Sequence, residues 1–450
     1  MPKSLSEHPG RSATERRAFA ETERIVGGVV VKAESQGRWR PAWFLEVERD
    51  GETLPVYFRG DRGLTDHGVY TLEHELRVLQ VLEAEGIPVP HVYGFCEDPR
   101  GIVMERAPGR ANLGTEDDPE KRAATLDHYM EILVAMHRIP VERFEAIGLQ
   151  RPPDSESVGL VDLPVWVKGY RQRKRRPEPL IELLLGWLHR NVPTHRREVT
   201  FIAGDAGQFV FDAGRVTAVL DLELACLGDP LADLGGMRNR DISEPLGDLS
   251  RGFRRYAELT GEAIDLPALH YHTARFGVNT PLACAYLCAD PPPGINLAQY
   301  LGWNLVYARL PIEVISEVEG VELERPSIPE PRVCIDAAAH DALVAALEPA
   351  AAQSYEGDVA FRMAQYAREL DRRGPRVEAE DLEEASKLVG RSLEDWAAAD
   401  TALEELVDRD GEARLPELLR YFYRRTLRHE ALLRPAMREL TDVDFQSIRL

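Results

Sequence analysis

The amino-acid sequence predicts an α+β fold: a small antiparallel sheet, then a mainly helical body, then a C-terminal all-helical region. Three observations carry that expectation. Two strand-like runs, Trp43-Phe44-Leu45-Glu46-Val47 and Val56-Tyr57-Phe58, are joined through Arg49-Asp50-Gly51, and Asp-Gly is a strong hairpin signal. In mid-chain a second hairpin reads from Phe209 to Leu220 around Asp212-Ala213-Gly214-Arg215. Beyond the proline-rich stretch Glu322 to Pro331 the chain is rich in helix formers. At 450 residues it is too long for one ordinary core, so the expected units are 1–107, 108–325 and 332–450.

The first unit can be justified element by element. A strand is expected over Ile25 to Val31, and a connection at Gln36-Gly37-Arg38-Trp39-Arg40-Pro41 leads to the Trp43 strand. Arg59 ends the third strand. The helix that follows places Leu72, Leu76 and Leu79 on one face, with Glu75 pointing the same way, and a carboxylate on an apolar face needs a partner. Gly86 stops that helix, and Pro88 and Pro90 prevent its continuation. Two further strands are divided at Glu97-Asp98-Pro99-Arg100-Gly101, and a linker follows.

In the second unit an apolar helix surrounds Leu133 and Met136, where His137 reads as packing. Arg171, Arg173, Lys174, Arg175 and Arg176 form a basic island, read as a solvated face or as a handle for a phosphorylated or carboxylated substrate. Trp166, Tyr170, Tyr271 and Trp303 are either core or the wall of an apolar pocket. In the third unit Cys334 to Ala351 and Val359 to Arg372 favour helix, and Leu415, Leu419 and Phe422 make a stripe beside Pro416, which suits a helix start.

Composition narrows the function classes. Apolar content of 44% with 29% charged residues is that of a globular chain, and a net charge of −21 disfavours nucleic acid and anionic membrane as partners. No apolar run reaches membrane-spanning length, and the N-terminus lacks the apolar core of a signal peptide, so a cytoplasmic location is expected. Five scattered cysteines, Cys96, Cys226, Cys284, Cys288 and Cys334, suit a reducing compartment and not a disulfide framework. His270 and His272 with the Cys284 and Cys288 pair do not make a zinc spacing, and they read as core.

The segment Phe201 to Leu234 carries the chemistry. Asp205 follows a glycine in a turn after Phe201-Ile202, and Asp221 ends the apolar run Val216 to Leu220, so the hairpin between them brings two carboxylates to one cleft. Phosphoryl transfer needs such a pair, one carboxylate to orient the acceptor hydroxyl and take its proton, the other to hold magnesium on nucleotide phosphates.

Together with Leu227-Gly228-Asp229-Pro230-Leu231-Ala232-Asp233-Leu234, this segment resembles the catalytic and metal loops of the aminoglycoside phosphotransferase-like, or choline-kinase-like, family. The resemblance covers roughly residues 20–310 and implies a bilobal protein-kinase-like fold, with a small antiparallel-sheet N-lobe and a mainly helical C-lobe. It implies Asp205 as base and Asp221 as magnesium ligand, with Asp229 and Asp233 structural. The family pattern has His where this chain has Ala203, and a magnesium-binding Asn where it has Val210. Anchored on the hairpin instead, Gln208 takes the Asn position and is either a second metal ligand or a loop-stabilising amide.

The same resemblance makes Arg59, in place of the family's Lys, the partner of Glu75 and of the nucleotide phosphates. It makes Met104, Glu105 and Arg106 the hinge that meets the base. Arg38 and Arg40 lie where phosphates would be covered, with a solvated connection as the alternative. Glu223 is an outer-shell or structural group, while Arg238 and Arg240 are expected near the acceptor. The acceptor pocket is expected from Leu160 to Thr194 and from Met237 to Pro311.

Residues 332–450 resemble a helical domain found fused to, or encoded beside, bacterial phosphotransferase-like proteins and acyl-CoA dehydrogenases, which implies docking to a protein partner or homo-oligomerisation. The reading that follows is an ATP- or GTP-dependent, Mg2+-requiring phosphotransferase for a hydroxyl of a small molecule, such as a hydroxyacyl thioester or another catabolic alcohol. The alternatives are a weak or inactive kinase-fold protein that binds nucleotide or metabolite, and nucleotidyl transfer on the same fold.

Overall fold

The computed structural model describes residues 4–36, 40–63, 69–332 and 337–450. The N-terminal lobe opens with α1 (Ala13–Val26), whose Ser12 and Glu15 form a reciprocal capping box and whose C-cap Gly27 turns at φ 78°. Ile25 therefore ends a helix, and the first strand runs later than the sequence predicts, as β1 (Val29–Ser35). The helix signal was hidden because its apolar positions are few, and only Ala18, Phe19, Thr22 and Val26 are buried.

β2 (Ala42–Arg49) and β3 (Glu52–Gly60) form the hairpin turned by Asp50-Gly51, α2 (Leu72–Ala84) crosses over, and β4 (Val92–Glu97) and β5 (Arg100–Glu105) complete the sheet. Its order is β1-β2-β3-β5-β4, with antiparallel neighbours throughout. One face packs Phe58, Trp43 and Val103 beneath α1, and α2 covers the other.

The second lobe is helical: α3 (Pro119–His137), α4 (Glu142–Glu145), α5 (Ser155–Leu160), α6 (Leu163–Arg173) and α7 (Pro179–Arg190) precede four short strands. β6 (Thr200–Ile202) pairs with β9 (Cys226–Gly228), and the hairpin of β7 (Phe209–Asp212) and β8 (Arg215–Val219) lies between them in sequence. α8 (Leu231–Arg240), α9 (Leu249–Thr260), α10 (Leu266–Ala289) and α11 (Leu297–Glu319) follow.

After a stretch over residues 321–332 without regular structure, α12 (Ala337–Ala351), α13 (Tyr355–Val389), α14 (Trp396–Asp410) and α15 (Leu415–Leu433) follow. These helices do not bury a core of their own. Leu403, Leu406, Leu418, Phe422 and Met437 join Leu184, Leu188, Val278 and Leu310 in one apolar cluster, so the core runs unbroken from the second lobe into the C-terminal helices.

The tail then folds back. Ile448 enters the core of the second lobe, and the Gln446 side chain accepts from the Leu249 N–H at 2.9 Å and donates to Asp241 at 3.1 Å. Among the described residues no helix is long and apolar enough to cross a membrane.

Candidate functional site

The turn carrying Asp205 is built by its neighbours. Gly204 has φ 85°, and a Cβ there would come to 2.5 Å from Leu224 O, so only glycine permits the approach. Asp233, fully buried at the start of α8, accepts from the N–H groups of Ala203 at 2.9 Å and Gly204 at 3.0 Å, and its Oδ2 lies 3.0 Å from His137 Nε2. Gly207 N–H donates to Tyr129 Oη at 2.7 Å. Asp229, also fully buried, takes Arg196 through two contacts of 2.5 and 2.9 Å and faces His272 Nε2 at 3.2 Å.

Asp205 stands half-buried beside Gln208, whose Nε2 donates to its Oδ2 at 2.8 Å, and it is ion-paired with Arg240. Burial pushes the Asp205 carboxyl up to about 6, with Asp221 adding to the rise and Arg240 opposing it. Arg240 loses to burial but gains more from Asp205, Tyr307 and Glu244, and stays charged.

Asp221 follows β8 in the left-handed region, φ 58° and ψ 52°, a conformation Asp tolerates better than most residues. It heads a dense charge network. Arg59 donates from Nε to Glu75 at 2.8 Å, and from Nη2 to Asp221 and, at 3.2 Å, to Glu223. Arg40 and Arg62 also hold Glu223, the former at 3.0 Å. Burial raises Asp221, but Arg59, Arg40 and Arg62 outweigh it and hold the carboxyl below its ordinary range. Glu75 moves the other way, because burial exceeds what Arg59 returns.

Two cavities meet here. One, of about 240 Å³, lies between the lobes against Gln36, Phe44, Tyr57, Arg59, Met104 and Glu105, with Arg106 stacked 4.0 Å from the Phe44 ring centroid. The other, of about 410 Å³, lies in the second lobe against Asp205, Arg240, Trp166, Phe276 and Trp303. Gln208, Asp221 and Glu244 line both. The N–H groups of Glu105 and Arg106 are taken by His91 O at 2.7 Å and Pro55 O at 3.0 Å.

Several expectations need correction. Arg238 does not reach the second cavity. It is 1% exposed, lies over Phe445 at 4.2 Å and donates to Gln446 O, because the returning tail claims it. Arg40 is buried behind Glu223 and lines neither cavity. Arg38 lies outside the described residues.

Tyr170 and Tyr271 are core, whereas Trp166 and Trp303 line the second cavity. Three members of the basic island are paired locally: Arg171 and Lys174 with Glu182, Arg176 with Glu178, and Lys174 also with Glu404.

Sequence reasoning singled out none of Arg62, Glu244, Asn279 and Glu439, all of which line the second cavity, although Glu244 and Asn279 fall within the expected Met237 to Pro311 segment. Asn279 had a signal, as a lone amide in the apolar run of α10, whereas Glu439 had none, being brought in from the far end of the chain.

Among the described residues no set of three or more His, Cys, Asp and Glu side chains is arranged to hold a metal ion alone. An ionised Asp221 facing the inter-lobe cavity, with the Gln208 amide beside it, nevertheless suits Mg2+, which uses one or two protein ligands and takes the rest from phosphates and water.

Comparison with known proteins bears on the fold and the family. A solved candidate aminoglycoside phosphotransferase from Ralstonia eutropha superposes with a TM-score of 0.50 over 68% of this chain and 99% of its own, at 22% identity, a likeness of fold. Acyl-CoA dehydrogenase family member 10 of Mus musculus is 30% identical over 44% of this chain, and family member 11 of Rattus norvegicus is 28% identical over 48%. The chain spans only 19% and 28% of those relatives' lengths. Residues 51–270, which carry the inter-lobe hinge, Asp205 and Asp221, match the phosphotransferase enzyme family and are a domain of that family on a kinase-like fold.

Proposed function

We propose that the chain transfers the terminal phosphoryl group of ATP or GTP to a hydroxyl of a small molecule, with Asp205 as base and Asp221 as magnesium ligand. The observation that carries this reading is the meeting of the two cavities at Gln208 and Asp221, with Asp205 on the acceptor side. A nucleotide in the inter-lobe cavity would place its base by Met104, Glu105 and Arg106 and its phosphates toward Arg59 and Asp221. Asp221 and the Gln208 amide oxygen would hold Mg2+, which when bound neutralises phosphate charge.

Asp205 accepts the proton of the acceptor hydroxyl as that oxygen bonds to phosphorus and the bond to the leaving diphosphate breaks. Its raised pKa improves it as a base near neutral pH. Arg240 orients the carboxylate and keeps positive charge beside the transferring group.

The acyl-CoA dehydrogenase relatives support a hydroxyacyl thioester or another catabolic alcohol as acceptor. One observation favours a second reading, a nucleotide- or metabolite-binding protein without turnover: Asp205 and Asp221 are each already engaged by an arginine.

Thermal stabilisation by ATP and GTP, with and without Mg2+, is the test. A magnesium-dependent rise in melting temperature that Asp221→Ala abolishes supports the site. No shift with either nucleotide leaves only a metabolite-binding protein, a shift without product is binding without turnover, and product mass separates phosphoryl from nucleotidyl transfer.

A further inference from the structure

The wall of the acceptor cavity holds a buried polar group that the described residues leave unpaired. α10 turns Phe276, Asn279, Thr280, Ala283, Cys284 and Leu287 onto the cavity, the three- and four-residue spacing of one helix face, and α11 sets Tyr300, Trp303 and Tyr307 into the same wall. Asn279 is 4% exposed, and neither its Nδ2 nor its Oδ1 has a hydrogen-bond partner among the described residues. Buried polar atoms in folded proteins are almost always paired, so an amide left with both ends free calls for a partner. Asn239 in the same wall differs in part: its Nδ2 is held by Gly235 O at 2.8 Å and Thr273 O at 3.0 Å, and only its Oδ1 lacks a partner among the described residues.

Resting on the phosphotransferase reading, we propose that Asn279 is the acceptor-selecting residue, and that the acceptor is an alcohol whose chain carries an amide group seated on Asn279. An amide side chain offers a donor group and an acceptor oxygen in one plane, and another amide returns one of each. An ammonium group could use only Oδ1 and a carboxylate only Nδ2. A carboxylate would also meet Asp205, Asp221, Glu244 and Glu439 around the same cavity. The hydrocarbon part of the acceptor lies against Trp166, Phe276 and Trp303, and Glu439 makes the C-terminal region part of the acceptor wall.

The test compares a hydroxyalkyl amide with the ester of identical chain length, on the full chain with Mg2+ and ATP or GTP. Binding is read by calorimetry and transfer by phosphorylated product. The native chain should prefer the amide by about tenfold to a hundredfold, because the ester leaves the Asn279 oxygen unpaired. Asn279→Leu should abolish that preference while leaving nucleotide affinity unchanged. It should also melt no lower than the native chain, since it removes a buried unpaired amide. A structural role would instead lower the melting temperature and spare the preference.

Equal use of amide and ester by the native chain, failure of both to bind, or a preference that survives in Asn279→Leu overturns the proposal. Selective amide binding without product would sink the transfer reading and leave this one standing. Transfer to both alcohols alike would do the reverse.

Discussion

Asp233→Ala removes the single carboxylate that fixes the turn bearing Asp205. In the native chain that carboxylate accepts from Ala203 N–H and Gly204 N–H and contacts the His137 ring, all at 2.9 to 3.0 Å and with no solvent access. Alanine leaves the donors without an acceptor in a place water does not reach, at about 1–3 kcal/mol each. The three together cost about 3–9 kcal/mol, a large part of the roughly 5–15 kcal/mol that holds a domain folded. Asp233→Asn keeps one acceptor oxygen and should lose about half as much.

Two measurements check this. The midpoint of urea unfolding should fall markedly in the alanine variant. Hydrogen exchange at the Ala203 and Gly204 amides should quicken at least tenfold even under folding conditions, each tenfold being about 1.4 kcal/mol. An unfolding midpoint shift worth less than about 1 kcal/mol, with unchanged exchange at those amides, would refute the hydrogen-bond reasoning.

Asp205→Asn should lower phosphoryl transfer by about a hundredfold to ten-thousandfold while sparing nucleotide binding, and full activity in that variant would remove the base assignment. With its carboxyl raised to about 6, the native kcat/KM should fall as pH drops below that value. The stability effect has the opposite sense. A folded-state pKa above the ordinary carboxylate value favours the protonated fold, so this contribution is present below about pH 4. It is lost as pH rises through about 6, and melting curves of Asp205→Asn should lack that decline.

Arg59→Met should destabilise by about 3–5 kcal/mol, because it strands Glu75, which is 2% exposed, and adding Glu75→Gln should recover part of the loss in a thermal melt. Truncation before Phe445 should raise the acceptor KM more than the nucleotide KM, since Gln446 secures Asp241 next to Arg240, and equal effects on both would exclude that route.

Much of the site was legible along the chain because its signals are local. A turn glycine before Asp205, a tight hairpin and a terminal Asp221 are statements about the backbone over a few residues, and they hold whatever packs around them. Helical periodicity also put the Glu75 carboxylate on the buried face, where it needs a partner, and the family resemblance named Arg59 as that partner. The first strand was misplaced because α1 shows too few apolar positions to declare itself before the sheet covers it.

The sequence by itself therefore determined the α+β order of elements, the two acidic positions flanking one hairpin and the helical character of the C-terminus. Tertiary structure alone decided that Arg240 pairs with Asp205, that Arg59 bridges Glu75 and Asp221, and that Arg238 turns to the tail and away from the acceptor. It also decided that the C-terminal helices share the core of the second lobe and bring Glu439 to the acceptor cavity. The physical reason is that turn chemistry and periodicity act over a few residues. Charge pairing and cavity shape instead join segments tens to hundreds of residues apart, whose relative placement is set by the packing of the whole core.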